Sequence, residues 1–297
     1  MSPTCTQCPR ACAVDRSVSV GYCGVPWNFR IARADLHHWE EPPISGTRGS
    51  GTIFFSGCNL RCVYCQNREV SRESLGREVD ADRLTDLMLA LRDGGAHNIN
   101  FVTPTPYAVQ LAALLERVKP TLGIPIVYNC GGYESVETLR RLDGLVDVYL
   151  PDVKYFSPDL ARRYSDAPDY FSVALSALAE MLRQTGAPVT DGEGILQRGT
   201  VVRHLVLPAH RDDSIALLRA LAERFGTRGL RLSLMSQYTP QFALDTPYRN
   251  LHRRVTTFEY NAVLDHALAL GFEGYFQARD SATAAFTPDF RESVKKI

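Results

Sequence analysis

Short apolar runs alternate with amphipathic stretches along the chain from Gly51 onward. "TIFFSG" (52–57), "INFVTP" (99–104), "IPIVYNC" (124–130), "VDVYLPDVK" (146–154), "TVVRHLVLP" (200–208) and "LRLSLMSQY" (230–238) are rich in β-branched and aromatic residues and read as strands. Between them Leu84, Leu87, Met88 and Leu91 recur at helical spacing, as do Leu111, Leu114, Leu115 and Val118, and "DDSIALLRALAERFG" repeats the pattern. These stripes face a core. A last helix, "TTFEYNAVLDHALALG", precedes "EGYFQA", a candidate seventh strand. The alternation predicts one wound parallel sheet, and its units are too few for a closed eight-fold barrel. The expected fold is α/β, a partial (β/α)6 barrel over 49–297 with a C-terminal helix and strand. A small cysteine-rich N-terminal extension and linker over 1–48 precedes it.

In such sheets chemistry gathers at the C-terminal ends of the strands. "TPTPY" follows the second strand, "NCGGY" the third, "PDVKY" the fourth and "QYTPQ" the sixth, which places polar residues on one rim. The weakly patterned "TGAPVTDGEGILQRG" reads as a surface excursion.

At 297 residues and 45 % hydrophobic, the chain supports a sizeable core. Lys+Arg and Asp+Glu both total 33, so no overall field favours nucleic acid or an anionic membrane, and neither partner is expected. The N-terminus has no apolar leader, and no apolar stretch is long enough to span a bilayer, so a cytoplasmic location is expected. In that compartment eight cysteines point to metal rather than disulfides.

Cys58, Cys62 and Cys65 follow the first strand in "GCNLRCVYCQN". Four thiolates would close a tetrahedral site, whereas three can hold a cubane and leave its last iron open; a three-cysteine zinc site completed from elsewhere is the other reading of the residues alone. The spacing C-x3-C-x2-C, with Tyr64 before the last cysteine, resembles the signature of the radical S-adenosylmethionine (SAM) superfamily. The resemblance implies a 4Fe-4S cluster whose open iron is chelated by SAM, and reductive cleavage of SAM to a 5'-deoxyadenosyl radical. It also implies a small electron donor such as flavodoxin or ferredoxin.

"CNLRCVYCQN" together with "YLPDVKY" is similar to the branch containing pyruvate formate-lyase activating enzyme. By that resemblance Asn67, Asp152 and Lys154 serve SAM, with Asp152 and Lys154 the catalytic pair, and Arg203 of "TVVRHLVLP" helps hold it. The branch's Gly-Gly-Glu after the second strand is replaced by "VTPTPY", so Thr103 or Thr105 would receive the SAM ammonium. "VYNCGG" lacks the branch's acid after the third strand and leaves Tyr128 or Asn129 for the ribose, and Gln237 and Tyr238 stand where a His is usual. The implied activity is hydrogen abstraction from a protein partner, with a small-molecule substrate as the alternative. A non-catalytic iron-sulfur or zinc protein is the reading from another class.

"CTQCPRAC" and "GYCG" supply Cys5, Cys8, Cys12 and Cys23, a full set for zinc or a second 4Fe-4S cluster. The apolar side chains here (Val14, Val18, Val20, Tyr22, Val25) are too few to order about twenty residues, and a structural metal worth about 10–16 kcal/mol would cover much of the deficit. "HHWEEPPISG" carries His37, His38, Trp39, Glu40 and Glu41, which read either as substrate-facing groups or as a solvated linker. Cys130 fits a hydrogen-atom donor or a small core residue.

Overall fold

The computed structural model describes residues 4–277, 288–295 and 297. Its strands are β1 (Phe29–His37), β2 (Ser50–Phe55), β3 (Arg77–Val79), β4 (Ile99–Val102), β5 (Ile126–Cys130), β6 (Val148–Pro151), β7 (Val189–Thr190), β8 (Leu196–Leu205), β9 (Arg231–Met235) and β10 (Glu273–Phe276). They form one sheet in the order β10-β9-β8-β6-β5-β4-β2-β1-β3, with β7 paired to β8. From β2 to β10 the neighbours along this path run parallel, including the expected seventh strand, so the fold is the anticipated partial barrel. Ala278, the end of "EGYFQA", lies outside the described residues.

β2, β4, β5 and β6 are buried along their whole length, as strands covered on both faces must be. Leu111, Leu114, Leu115 and Val118 on helix Ala108–Leu122 pack against Ile99, Phe101 and Ile126 on the outer face. The lumen holds a smaller cluster of Val127, Val148, Leu150, Leu196 and Val201 around Ile44. Ile44 comes from the four-residue helix Pro42–Ser45, so the stretch after β1 fills the barrel from below as a plug.

β1 is a strand that the sequence pattern does not signal. It lies antiparallel between β2 and β3, with a bulge between Ile31 and Arg33, and joins residues of the extension and linker to the barrel's sheet. The "TGAPVTDGEGILQRG" stretch folds back as β7 on β8. Among the described residues no helix is long and apolar enough to cross a membrane.

The N-terminal extension winds on itself: Cys5 N–H bonds Val14 O at 2.9 Å and Ala13 N–H bonds Cys5 O at 3.0 Å. Ala11 and Ala13 take left-handed φ of 41° and 53°, costly for residues with a Cβ. Arg16, 1 % exposed, gives its guanidinium to the carbonyls of Val25, Pro26 and Pro106, which pins the extension to the loop after β4.

Candidate functional site

The loop after β2 places Cys58, Cys62 and Cys65 at one end of a cavity of about 220 Å3. Gly57, at φ +83°, packs so closely on Val25 and the Cys23 carbonyl that a Cβ would collide with both. Each thiol has a donor aimed at it. Leu60 N–H reaches Cys58 Sγ at 3.4 Å, the Ser165 hydroxyl reaches Cys62 Sγ at 3.0 Å, and the Ser71 hydroxyl reaches Cys65 Sγ at 3.3 Å. Burial pushes the Cys58 thiol up to about 12 and raises Cys65 as well, so metal must displace protons to bind here. Among the described residues no three His, Cys, Asp or Glu side chains converge on a single ion.

The donor to Cys62 is itself fixed. Ser165 Oγ lies 2.8 Å from the Tyr155 hydroxyl, which lies 2.6 Å from that of Tyr64, and all three residues are buried. With the Ser165 hydrogen on sulfur, Tyr155 must donate to Ser165 and Tyr64 to Tyr155, so the chain of hydroxyls has one direction.

Facing the thiols across the cavity is a charged group drawn from several elements. Asp152, just past β6, bridges to Arg203 of β8. Lys154 Nζ donates to Asp152 Oδ2 at 2.5 Å and Arg203 Nε to Asp152 Oδ1 at 2.9 Å. Arg203 also donates to Asn129 Oδ1 at 2.7 Å and to Glu40 at 3.4 Å. Glu40 accepts further bonds from Asn100 at 3.1 Å and Asn129 at 3.4 Å. Burial opposes every charge here, but Arg203 and Lys154 hold the Asp152 carboxyl below its usual range, and Asp152 raises Lys154 in return. For Glu40 burial wins over Arg203, and its pKa is pushed up to about 7.

The cavity lining also includes Asn67 and Thr103, so these two stand with Asn129, Asp152, Lys154 and Arg203 in one space with the triad. Asn67 Oδ1 is a buried acceptor with no partner. Thr103 is held at φ +57°, a rare conformation for a β-branched residue, and its N–H bonds Asn129 O at 2.9 Å. Two alternatives fall away from the cavity: the hydroxyls of Thr105 and Tyr128 both donate to Glu134, at 2.7 and 3.2 Å. Glu134 is 2 % exposed and, like Glu40, pushed by burial up to about 7. Cys130, His37, Trp39, Gln237 and Tyr238 line the cavity as well.

Cys5, Cys8, Cys12 and Cys23 gather beside this loop. Burial drives the Cys8 thiol up to about 12, with Cys23 and Cys5 adding to it, and Cys5 and Cys12 likewise raise Cys23, so the four thiols are electrostatic neighbours. Tyr22 N–H donates to Cys12 Sγ at 3.3 Å.

The family model described as Radical SAM superfamily matches residues 52–222. An uncharacterized protein of Methanocaldococcus jannaschii is 28 % identical over 272 residues, spanning 89 % of this chain and 74 % of that one. A pyruvate formate-lyase-activating enzyme of Listeria monocytogenes is 24 % identical over 174 residues, 54 % of this chain and 63 % of its own length. Among solved structures, the hydrogenase maturase HydG superposes with a TM-score of 0.52 at 13 % identity, covering 82 % of this chain and 53 % of its own. A radical SAM methyltransferase from Sphaerobacter thermophilus gives 0.50 at 16 %, covering 78 % and 69 %. These two likenesses concern the fold.

Proposed function

The chain belongs to the radical SAM superfamily, and on that premise we propose that it abstracts hydrogen from a protein partner, using the cavity between the triad and the Asp152–Arg203 group. Membership implies an enzyme with a 4Fe-4S cluster and SAM. When bound, these supply a 5'-deoxyadenosyl radical. The observation that carries the reading is the convergence of three hydrogen-bonded thiols, the unpartnered Asn67 acceptor and the Asp152, Lys154 and Arg203 charges on one cavity.

The residues divide the work by their chemistry. Cys58, Cys62 and Cys65 would hold the cluster, and the donors on their sulfurs would offset the thiolate charge. Lys154 and Arg203 offer cationic donors to the SAM carboxylate, and the Arg203 fork is oriented beforehand by Asp152, Asn129 and Glu40. Thr103, whose backbone is held in its strained conformation, offers its carbonyl and hydroxyl to the ammonium, and Asn129 its amide to the ribose. Asn67 Oδ1, buried without a partner, would accept a bond from the cofactor. Placement of the reaction inside the barrel's cavity limits the access of other hydrogen donors to so reactive a radical.

The likeness to the activating enzyme of Listeria monocytogenes supports a protein partner as substrate, and the reductive chemistry of the superfamily calls for a small electron donor such as flavodoxin or ferredoxin. Cys5, Cys8, Cys12 and Cys23 hold a second centre, zinc or iron-sulfur. Anaerobic reconstitution, counting of iron, sulfide and zinc, and assay of 5'-deoxyadenosine after reduction test the reading. Cleavage should be abolished by Ala at Cys58, Cys62 or Cys65, and full cleavage by any of these variants would overturn it.

A further inference from the structure

Arg10 lies between Cys8 and Cys12 in sequence, yet its guanidinium serves the other centre. Nε donates to Asn59 O at 2.8 Å, within the triad loop. Nη2 donates to Ser165 O at 3.1 Å and Nη1 to Asp166 O at 2.5 Å, at the end of helix Pro158–Ser165. The plane lies over the Tyr22 ring, 3.9 Å from its centroid, and the Tyr22 hydroxyl donates to the Asp166 carboxylate at 3.0 Å. Ser165 is the residue whose hydroxyl reaches Cys62 Sγ at 3.0 Å.

One side chain of the N-terminal extension therefore ties the triad loop to the helix end that supplies a sulfur's hydrogen bond. All three acceptors are backbone carbonyls, and the nearest approach to a carboxylate is 3.9 Å, so the planar fork reads geometry more than it neutralises charge. The segment that carries it is strained, with Ala11 and Ala13 in left-handed φ, and Cys8 and Cys12 flank the strained turn.

We propose that Arg10 is a positioning residue that couples the four-cysteine centre to the radical-forming cluster: ligation of Cys8 and Cys12 fixes Arg10, and Arg10 fixes the Ser165 hydrogen bond to Cys62. The inference rests on the cluster assignment above. A donor to a ligating thiolate favours the reduced, more negative cluster, so its loss lowers the midpoint potential.

The test is a redox titration of the full chain, reconstituted anaerobically, following the electron paramagnetic resonance signal that changes on adding SAM. Arg10→Ala, Ser165→Ala and Cys8→Ala should each lower the midpoint by roughly tenfold in the reduction equilibrium, about 59 mV for one electron. Arg10→Lys, which keeps the charge and loses the fork, should shift like Arg10→Ala. The Arg10→Ala/Ser165→Ala double variant should shift no further than Ser165→Ala alone, because both act through one bond. Additive shifts, a wild-type potential in Arg10→Lys, or an unmoved potential in Cys8→Ala would overturn the coupling. Should Arg10→Ala fail to assemble a cluster, Arg10→Lys and Ser165→Ala still decide the matter. A wild-type chain that assembles no cluster on the triad would instead defeat the functional reading itself.

Discussion

Asp152 is shared between two cations, and that sharing sets how the cavity responds to substitution. Lys154 takes one of its oxygens and Arg203 the other, so loss of Lys154 leaves the carboxylate still paired. Loss of Arg203 instead weakens the hold on Asp152 and strips Glu40 of its cation. Arg203→Met should therefore cost about 3–5 kcal/mol, the usual penalty for breaking a buried pair, and Lys154→Met distinctly less. Urea unfolding of the two variants measures this; equal costs would mean that Asp152 does not bridge the cations. Lys154→Met should still load its cluster, no ligand being touched, while losing most SAM cleavage. Glu134 makes a pH-dependent contribution. Its folded pKa of about 7 lies above the ordinary carboxylate value, so between about pH 4 and pH 7 the folded chain keeps a proton that the unfolded chain releases. That contribution is complete at low pH and is lost as pH rises through 7. Histidines depressed by burial, such as His204, act in the opposite sense, but they are common to wild type and variant. Relative to wild type, Glu134→Gln should gain about 1.4 kcal/mol of stability for each pH unit across that window. A difference in stability that stays flat with pH would show that Glu134 titrates normally.

At the level of elements, the parallel strands were legible because strands covered on both faces read as continuous apolar runs, as "INFV" and "VYLP" do. β1 was not. Its bulge turns Ile31 and Ala32 inward in succession, which breaks the alternation by which a half-buried strand is recognised. Helix Pro42–Ser45 is too short to show a period, although its Ile44 reaches the centre of the lumen. The plug also explains why Glu40, which reads equally well as a solvated linker residue, meets Arg203 inside the barrel. The triad was legible because a small cluster needs its thiols close along one loop. The hydroxyls that serve it were not, since Ser165 lies 103 residues from Cys62 and only the folded chain brings them together. Glu134 is hidden in the sequence for a related reason: the resemblance points to an acid at the end of β5, whereas this one sits further along the loop and turns toward Thr105 and Tyr128.

For the whole molecule the sheet is an open one, and each gap has its own cover. The N-terminal extension clasps the triad loop, Pro42–Ser45 fills the floor, and helix Phe290–Val294 stands over the remaining side. Phe290, 2 % exposed, is the helix's anchor: its ring meets that of Phe54 at 5.2 Å, and it packs with Ala32, Val70 and Val102. Phe54 and Val102 also line the cavity, so this contact forms part of the wall of the radical's space. Truncating a buried Phe typically costs about 3–5 kcal/mol, but a five-residue helix whose one buried side chain is Phe290, helped by Val294 and the exposed Arg291–Glu69 pair, can detach by itself while the barrel stays folded. Phe290→Ala should therefore leave the main unfolding transition nearly in place and open the side of the cavity. Without substrate, a sealed cavity leaves the 5'-deoxyadenosyl radical few partners, whereas an opened one admits reductant and buffer that can quench it. Abortive formation of 5'-deoxyadenosine should thus rise several-fold in Phe290→Ala over wild type, with iron content unchanged. If the main transition falls by the full core penalty and abortive turnover does not rise, the helix is part of the barrel's core and not a cover over its open side.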